Sequence, residues 1–302
     1  MRTIPLSKTG LQVPAVAVGC MRLSRLQAAE AEHFVQTSLE LGMNFFDHAD
    51  IYGGGECESI FGKAYAGPRA KIFLQSKCGI RKGRYDFSKE HILNAVEGSL
   101  SRLNTDYLDV LLLHRPDMLV EPEEVAEAFD ILQASGKVRH FGMSNQNPGQ
   151  MQLLQKFVKQ PFVANQLQLG LGHASLVTQG AHVNMYDDMA VNRDGGILDY
   201  CRLHDITVQP WSPFQYGPIR GVFFGDERYK DLEAKLDEFA QKYNADSTAL
   251  ALAWLLRHPA KMQPVIGTMN LRRLASCAKA AEITLSREDW YALWLAAGNT
   301  LP

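Results

Sequence analysis

The chain has 302 residues, of which 46% are hydrophobic and 21% charged, and this composition is typical of a folded globular protein with a sizeable core. The formal net charge is −2, and acidic and basic residues are mixed along the chain. This distribution gives no cluster of positive charge of the kind that binds nucleic acid or an anionic membrane. We expect a cytoplasmic protein, because no membrane-length apolar run or signal-peptide core is present. The five scattered cysteines lack a C-x-x-C pair and indicate reduced thiols rather than disulfides or a zinc site.

A β-hairpin is predicted between Arg2 and Pro14, where two short alternating runs flank Lys8-Thr9-Gly10. Eight short apolar runs follow, and each is predicted to be a strand because of its length and its bounding polar residues. The run from 108 to 113 is apolar almost throughout, which favours a strand buried on both faces of a parallel sheet. The predicted strands cover residues 15–18, 43–46, 72–75, 108–113, 138–142, 162–165, 206–209 and 265–266.

Amphipathic helices are predicted between the strands. The first would begin at a capping box formed by Ser24 and Gln27 and end at Gly42. The other helical patterns lie at 60–66, 92–103, 125–132, 196–204, 232–243, 249–256, 271–281 and 286–297. Periodicity fades between 167 and 195, which predicts a long loop of the kind that is usually functional. We assign substrate specificity to the loops 79–87, 167–195 and 214–228 and to the tail after 297.

Eight strands alternating with helices predict one domain over residues 1–302, a (β/α)8 TIM barrel with an N-terminal hairpin cap and extra helices. A doubly wound open sheet is the alternative. The barrel is favoured because conspicuous polar residues follow different strands, and the carboxyl ends of barrel strands share one face. These residues are Asp47, Lys77, His114, Asn145 and Gln166.

Four side chains near the ends of the second, third and fourth strands suit proton transfer to a carbonyl oxygen: Asp47, Tyr52, Lys77 and His114. Each alone has an ordinary structural interpretation, as a turn residue, a core aromatic, a surface lysine or a structural histidine. Together they form a proton-transfer set. A free tyrosine has a pKa of about 10. We expect the Lys77 ammonium to lower the pKa of Tyr52 and Asp47 to keep Lys77 charged, while neutral His114 donates a hydrogen bond to the substrate oxygen.

These residues lie in motifs that resemble, in order, those of the aldo-keto reductase superfamily. The motifs are Phe46-Asp47-His48-Ala49-Asp50-Ile51-Tyr52-Gly53, Ser76-Lys77, Leu113-His114-Arg115-Pro116, Gly142-Met143-Ser144-Asn145 and Trp211-Ser212-Pro213. The resemblance implies a (β/α)8 barrel, NAD(P)H-dependent reduction of aldehydes and ketones to alcohols, and a catalytic tetrad of Asp47, Tyr52, Lys77 and His114. The amino-acid sequences of these motifs are most similar to those of bacterial members whose substrates are unassigned.

The same resemblance implies a set of cofactor contacts. Ser144, Asn145 and Gln166 would bind the nicotinamide carboxamide, with Trp211 stacked on the ring. Ser212, Pro213 and Phe214 would lie along the pyrophosphate. The adenosine 2′-phosphate end would be held by Ile266, Gly267, Thr268, Met269 and Arg273, with Cys277 near the adenine, and further contacts would come from Gly19, Cys20, Met21 and Asp47. Arg273 suits the 2′-phosphate through bidentate, charge-assisted hydrogen bonds, so we expect NADP(H). Thr268 stands where many members have a lysine and Cys277 where many have an asparagine, so NAD(H) is the alternative. Met21 replaces a tryptophan common in the substrate pocket.

Two other functions fit the same barrel. Lys77 could be the nucleophile of a Schiff-base lyase, or the chain could be a non-catalytic NADP(H)-binding sensor that binds a partner. Gly170 to Ser175 is only a partial match to a Rossmann fingerprint, and the isolated His173 and His182 do not argue for a metal. The expected partner is a small-molecule carbonyl substrate, with no nucleic acid, membrane or metal, and the oligomeric state is left open.

Overall fold

A closed barrel of eight parallel strands forms the centre of the computed structural model, which describes residues 1–217 and 221–302. Around the barrel the neighbouring strands follow chain order, so the open doubly wound sheet is wrong and the barrel is confirmed. Twelve strands occur in the described residues: β1 (Thr3–Pro5), β2 (Gln12–Pro14), β3 (Ala17–Gly19), β4 (Phe45–Asp47), β5 (Phe73–Cys78), β6 (Ile80–Arg81), β7 (Arg84–Tyr85), β8 (Leu108–Leu113), β9 (Val138–Ser144), β10 (Phe162–Gln168), β11 (Thr207–Trp211) and β12 (Val265–Ile266). The barrel consists of β3, β4, β5, β8, β9, β10, β11 and β12.

The predicted N-terminal hairpin is present and caps one end of the barrel. Strands β1 and β2 pair antiparallel, with Ile4 opposite Val13, and both side chains are buried. The backbone N–H of Ser7, in the turn, donates to Oγ1 of Thr207, the first residue of β11. The hairpin therefore covers the amino-terminal end of the strands and leaves the carboxyl-terminal end open to a ligand.

Helices surround the barrel, and most of them bury one face. On the first helix this face carries Ala31, Phe34 and Val35, at the predicted helical spacing. The described helices are α1 (Ala28–Glu40), α2 (Glu56–Ala64), α3 (Lys89–Leu103), α4 (Pro122–Ala134), α5 (Pro148–Gln155), α6 (Ser175–Ala181), α7 (Ile197–Leu203), α8 (Lys230–Tyr243), α9 (Ser247–Arg257), α10 (Leu271–Lys279) and α11 (Arg287–Ala296). Helix α9 is buried almost all round, as its uniformly apolar sequence predicts. None of these helices is both long enough and apolar enough to cross a membrane.

The structure differs from the prediction at helix caps and at short elements, whose positions depend on a few polar residues. The capping box of α1 pairs Gln27 with Glu30, and Ser24 instead lies in a 3₁₀ turn. Helix α5, absent from the prediction, begins at an Asn147 and Gln150 capping box. Strands β6 and β7 form a small hairpin inside the loop predicted at 79–87. Such elements are too short to show a clear hydrophobic period.

Candidate active site

Lys77 is the centre of a buried hydrogen-bonded group at the carboxyl end of the barrel. Its Nζ donates to Asp47 Oδ2 at 2.7 Å, to the carbonyl oxygen of His48 at 2.8 Å and to Tyr52 Oη at 3.1 Å. Burial by itself lowers the pKa of this ammonium, but Asp47 and Tyr52 raise it, and the net pKa lies above the usual lysine value. Lys77 is therefore charged, with all three donors paired.

Tyr52 reaches this group from a tight glycine turn. Gly53, Gly54 and Gly55 all have positive φ angles, a conformation that favours glycine, and they follow Tyr52 in the same 3₁₀ segment. Burial raises the pKa of the Tyr52 phenol, Lys77 lowers it and Asp47 raises it, so that the net pKa is above the usual tyrosine value. The expectation of a lowered pKa was therefore wrong in direction, because burial outweighs the neighbouring ammonium. The phenol is protonated at neutral pH.

His114 follows β8 and faces Tyr52. Its backbone N–H donates to the carbonyl of Cys78 at 2.9 Å, and its ring lies edge-on to the Tyr52 ring with 5.9 Å between centroids. Burial, Lys77 and Arg115 together lower the pKa of His114 to about 2. The imidazole is neutral, as expected from its position beside Lys77, and a neutral imidazole retains one N–H donor.

A row of buried glutamines holds the second carboxylate oxygen of Asp47. Asp47 Oδ1 accepts hydrogen bonds from Gln75 Nε2 at 2.6 Å and from Gln166 Nε2 at 2.9 Å. Gln75 and Gln209 exchange hydrogen bonds, and Gln209 Nε2 donates to Gln263 Oε1 at 2.9 Å. We call Gln75, Gln209 and Gln263 the glutamine column. The sequence analysis missed it, although Gln75 and Gln209, at the ends of otherwise apolar predicted strands, were its visible signal.

The tetrad borders a cavity of about 890 Å³ at the carboxyl ends of the strands. Tyr52 and His114 line this cavity, whereas Lys77 lies behind Asp47 and Tyr52. All but one of the predicted cofactor residues line it as well: Gly19, Met21, Asp47, Ser144, Asn145, Gln166, Trp211, Ser212, Pro213, Phe214, Ile266, Gly267, Thr268, Met269, Arg273 and Cys277. The exception is Cys20, which is 1% exposed and directs its Sγ towards the carbonyl of Val18. The structure does not bring Cys20 to the cavity.

Two left-handed residues shape the wall where the nicotinamide contacts were predicted. Asn145 and Ser212 follow β9 and β11 with φ angles of 58° and 50°, which turn the chain sharply at each strand end. Trp211 Nε1 donates to Asn145 Oδ1 at 3.2 Å, and Asn145 Nδ2 donates to Ser144 Oγ at 2.6 Å. Gln166 donates to Asp47 and Gln209, so its Oε1 is the atom left to accept a hydrogen bond from a ligand amide.

A comparison with known families identifies the chain. The sequence model described as the aldo/keto reductase family matches residues 15–294. The chain belongs to the aldo/keto reductase family. Membership of this family makes it an oxidoreductase.

Individual relatives in this family are similar along their whole length. The chain is 35% identical to the uncharacterized oxidoreductase YcsN of Bacillus subtilis, with 100% of both chains covered. It is 36% identical to a 6-dehydroglucose reductase of Agrobacterium fabrum over 98% of each chain. Among solved structures, an aldo-keto reductase from Klebsiella pneumoniae in complex with NADPH superposes with a TM-score of 0.79 at 25% identity, covering 100% of this chain and 96% of that chain.

The aldo/keto reductase cavity also contains two arginines that the sequence analysis missed. Arg22 and Arg25 line it together with Arg273, and Arg22 Nη1 donates to the carbonyl of Gly267 at 2.8 Å. Burial lowers the pKa of Arg22, and the positive charges of Arg25 and Arg273 lower it further. We call Arg22, Arg25 and Arg273 the arginine cluster. The position of Arg22, just after the first barrel strand, was the available signal.

The loops contribute to the cavity unequally. Ile80 comes from the loop 79–87, and Phe214, Gln215, Val222 and Phe224 come from the loop 214–228. No described residue of the loop 167–195 or of the tail after 297 lines the cavity. These two segments instead contact each other, because His182 Nε2 donates to the carbonyl of Thr300 at 2.8 Å. The positions 218–220, inside one predicted specificity loop, lie outside the described residues.

Proposed function

We propose that this single-domain barrel is an NADP(H)-dependent reductase of aldehydes and ketones, with Tyr52 as the general acid. The observation that carries this proposal is the position of Lys77, whose Nζ lies 2.7 Å from Asp47 Oδ2 and 3.1 Å from Tyr52 Oη beside the cavity. A charged, buried ammonium in contact with a phenol stabilises the phenolate that proton donation leaves behind.

The four side chains then have distinct tasks. NADPH, when bound, supplies the hydride that reduces the carbonyl carbon. Tyr52 Oη donates its proton to the carbonyl oxygen as negative charge develops there, and Lys77 stabilises the resulting phenolate. His114, neutral, donates a hydrogen bond that orients the same oxygen. Asp47 keeps Lys77 charged and fixed in position, so little reorganisation is required during the reaction.

The residues around the cavity fit NADP(H). The arginine cluster supplies the cations that a 2′-phosphate prefers, through charge-assisted and bidentate hydrogen bonds. A Cβ on Gly19 would lie 2.8 Å from the carbonyl oxygen of Ile266, so glycine allows close approach of β3 and β12 beside the cavity. Trp211 and Asn145, held together by their hydrogen bond, form a flat aromatic and amide surface for the nicotinamide. The NADPH complex of the Klebsiella relative supports the same choice.

A carbonyl screen tests the proposal directly. Purified protein is mixed with NADPH and a series of aldehydes, including small sugar aldehydes suggested by the 6-dehydroglucose reductase relative, and cofactor oxidation is followed. We expect aldehyde-dependent oxidation and faster turnover with NADPH than with NADH. Tight NADPH binding without turnover of any carbonyl would favour the non-catalytic sensor instead.

The Schiff-base alternative is tested in the same preparation. The Lys77 amine has a raised pKa and three hydrogen-bond acceptors, so it is not the free amine that attack on a carbonyl requires. Borohydride added with an active substrate should leave the mass of the protein unchanged. A covalent adduct on Lys77 would contradict the reductase proposal.

A further inference from the structure

Arg115 is a half-buried cation on the cavity wall, directly after His114. Within residues 1–217 and 221–302 its guanidinium forms no ion pair or side-chain hydrogen bond, and it lies 5.6 Å from the centroid of the Trp211 ring. Two other half-buried arginines have carboxylate partners, Arg69 with Asp109 at 2.6 Å and Arg102 with Glu58 at 2.8 Å. Arg115 thus lacks the kind of partner that such a group usually has in a folded protein.

The charges around the cavity fall into two groups. The arginine cluster lies at the Gly267 end, where the cofactor phosphate was placed. Arg115 lies at the catalytic end, because it directly follows His114 in the chain and both residues line the cavity. Asp47 does not offset Arg115, since the charge of that carboxylate is already paired with Lys77 at 2.7 Å. Among the described residues that line the cavity, Arg115 is therefore a positive charge outside the arginine cluster that no lining carboxylate offsets.

We propose that Arg115 selects carbonyl substrates that also carry a carboxylate, an inference that rests on the proposed reductase function. A carboxylate can accept two parallel N–H bonds from a guanidinium, and partial burial strengthens this contact. Apolar side chains also line the cavity, among them Ile51, Ile80, Val222 and Phe224. This combination fits an oxo acid in which an apolar spacer separates the aldehyde, at Tyr52 and His114, from the carboxylate at Arg115.

The test compares acids with their neutral esters. Aldehyde acids of increasing spacer length and their methyl esters are assayed with saturating NADPH, using wild-type protein and the variants Arg115→Gln and Arg115→Lys. For the best spacer length, wild type should prefer the acid over its ester by roughly 10–100-fold in kcat/KM, the effect of one charge-assisted contact. Arg115→Gln should bring this ratio close to one, mainly by raising KM for the acid, and Arg115→Lys should retain part of it.

A matched arginine provides the control. Arg202 on α7 pairs with Asp199 on the surface and does not line the cavity, so Arg202→Gln should leave the acid-to-ester ratio unchanged. The preference of wild type should also weaken with added salt. Equal reduction of acids and esters by wild type would overturn the inference while leaving the reductase function intact.

Two further results would also overturn it. If Arg115→Gln weakened NADPH binding in a fluorescence titration and slowed acid and ester equally, Arg115 would serve the cofactor rather than the substrate. If no aldehyde were reduced, whether acid or ester, the proposed function and the inference would fail together.

Discussion

Lys77 is the residue on which the candidate site depends. A buried ammonium is stable only when its charge and donors are satisfied, and Lys77, 1% exposed, has three acceptors within 3.1 Å. One acceptor is the backbone carbonyl of His48, which is fixed by the chain, so Lys77 cannot follow a displaced substrate. This arrangement holds the Tyr52 phenol in one place and stabilises its conjugate base.

Replacing Tyr52 with phenylalanine should remove the acid while keeping the ring. Hydride transfer would then leave a poorly stabilised alkoxide, and we expect turnover of an aldehyde to fall by about 10²–10⁴-fold. NADPH affinity, measured by fluorescence titration, should stay nearly unchanged. Tyr291→Phe, at a partly exposed position on α11, is the matched control and should keep full activity. Near-normal turnover by Tyr52→Phe would shift the acid role to His114.

The direction of the Tyr52 pKa shift could not be predicted from the sequence. Residue types and their order were enough to predict that Asp47, Tyr52, Lys77 and His114 meet. They were not enough to predict the sign of the Tyr52 shift, because that sign depends on how much water the fold removes from the phenol. The neutral state of His114 was predictable, since burial and the nearby cations act in the same direction.

At the scale of elements, strands were predictable in their cores but not at their carboxyl ends. Strand β8 begins and ends as its apolar run predicts, whereas β5, β9 and β10 continue into polar residues. Lys77 pairs with Leu112, and Ser144 pairs with Gln166, so ladder hydrogen bonding extends these strands beyond their apolar segments. Lys77, Ser144 and Gln166 therefore stand on strand ends, which position them more rigidly than loops would.

The segment after β3 and helix α10, which follows β12, together form the cationic end of the cavity. Arg273→Glu should weaken NADPH binding by roughly 10–100-fold, because it removes one charge-assisted contact and adds repulsion, while Arg22 and Arg25 keep part of the attraction. NADH binding should change much less. Arg272→Glu, on the exposed neighbouring residue that does not line the cavity, is the control. Equal losses for both cofactors in the titration would mean that Arg273 supports the fold or the adenine.

Helix α6 and the C-terminal tail are joined by His182. Its Nδ1 lies 3.0 Å from Asp187 Oδ2, and its Nε2 donates to the carbonyl of Thr300. The hydrogen bond to Asp187 and the one to Thr300 raise the pKa of His182 above its usual value despite opposing burial. Protonation of His182 therefore stabilises this contact, and that stabilisation is fully present below the usual histidine pKa and is lost as pH rises through the raised value.

Limited proteolysis of the segment 182–195 should accordingly be slower at about pH 6 than at about pH 9, relative to a pH-matched standard. His182→Gln should remove the difference, because glutamine does not titrate. His33→Gln, on the exposed face of α1, should retain it. Identical protection at both pH values in the wild-type protein would show that the tail is held by its other contacts, such as that between Thr178 and Asn299.

Across the whole molecule, the glutamine column connects the two ends of the barrel. Barrel interiors are usually filled by branched apolar side chains, but here a continuous set of amides runs from Asp47 at the open end. At the other end, Gln263 Nε2 donates to the carbonyl of Pro14, in the capping hairpin, at 2.8 Å. Gln75, Gln209 and Gln263 are each 0% exposed, so every amide in this row depends on its neighbours for hydrogen bonds.

Gln209 is the centre of this row, and two substitutions separate its structural and functional effects. Gln209→Met keeps the volume but leaves Oε1 of Gln75 and Oε1 of Gln263 without the N–H groups of Gln209 that donate to them, which should lower stability by about 1–3 kcal/mol for each oxygen left unpaired. Because Gln75 also donates to Asp47, we expect slower turnover with little change in the KM for an aldehyde. Thermal unfolding and steady-state kinetics measure the two effects.

Gln209→Glu keeps the shape and introduces a group whose hydrogen bonding depends on pH. Burial near Asp47 should raise the pKa of the new carboxyl, and its protonated form accepts as the amide does and restores one of the two hydrogen bonds that the amide donates to Gln75 and Gln263. Turnover of Gln209→Glu should therefore approach the wild-type value at low pH and fall as pH rises through that pKa. The wild-type protein should not show this decrease. Gln36→Glu, on the surface of α1, is the control. If the turnover of Gln209→Glu followed wild type at every pH, the column would only fill the barrel, and Asp47 would be held by Lys77 and Gln166 alone.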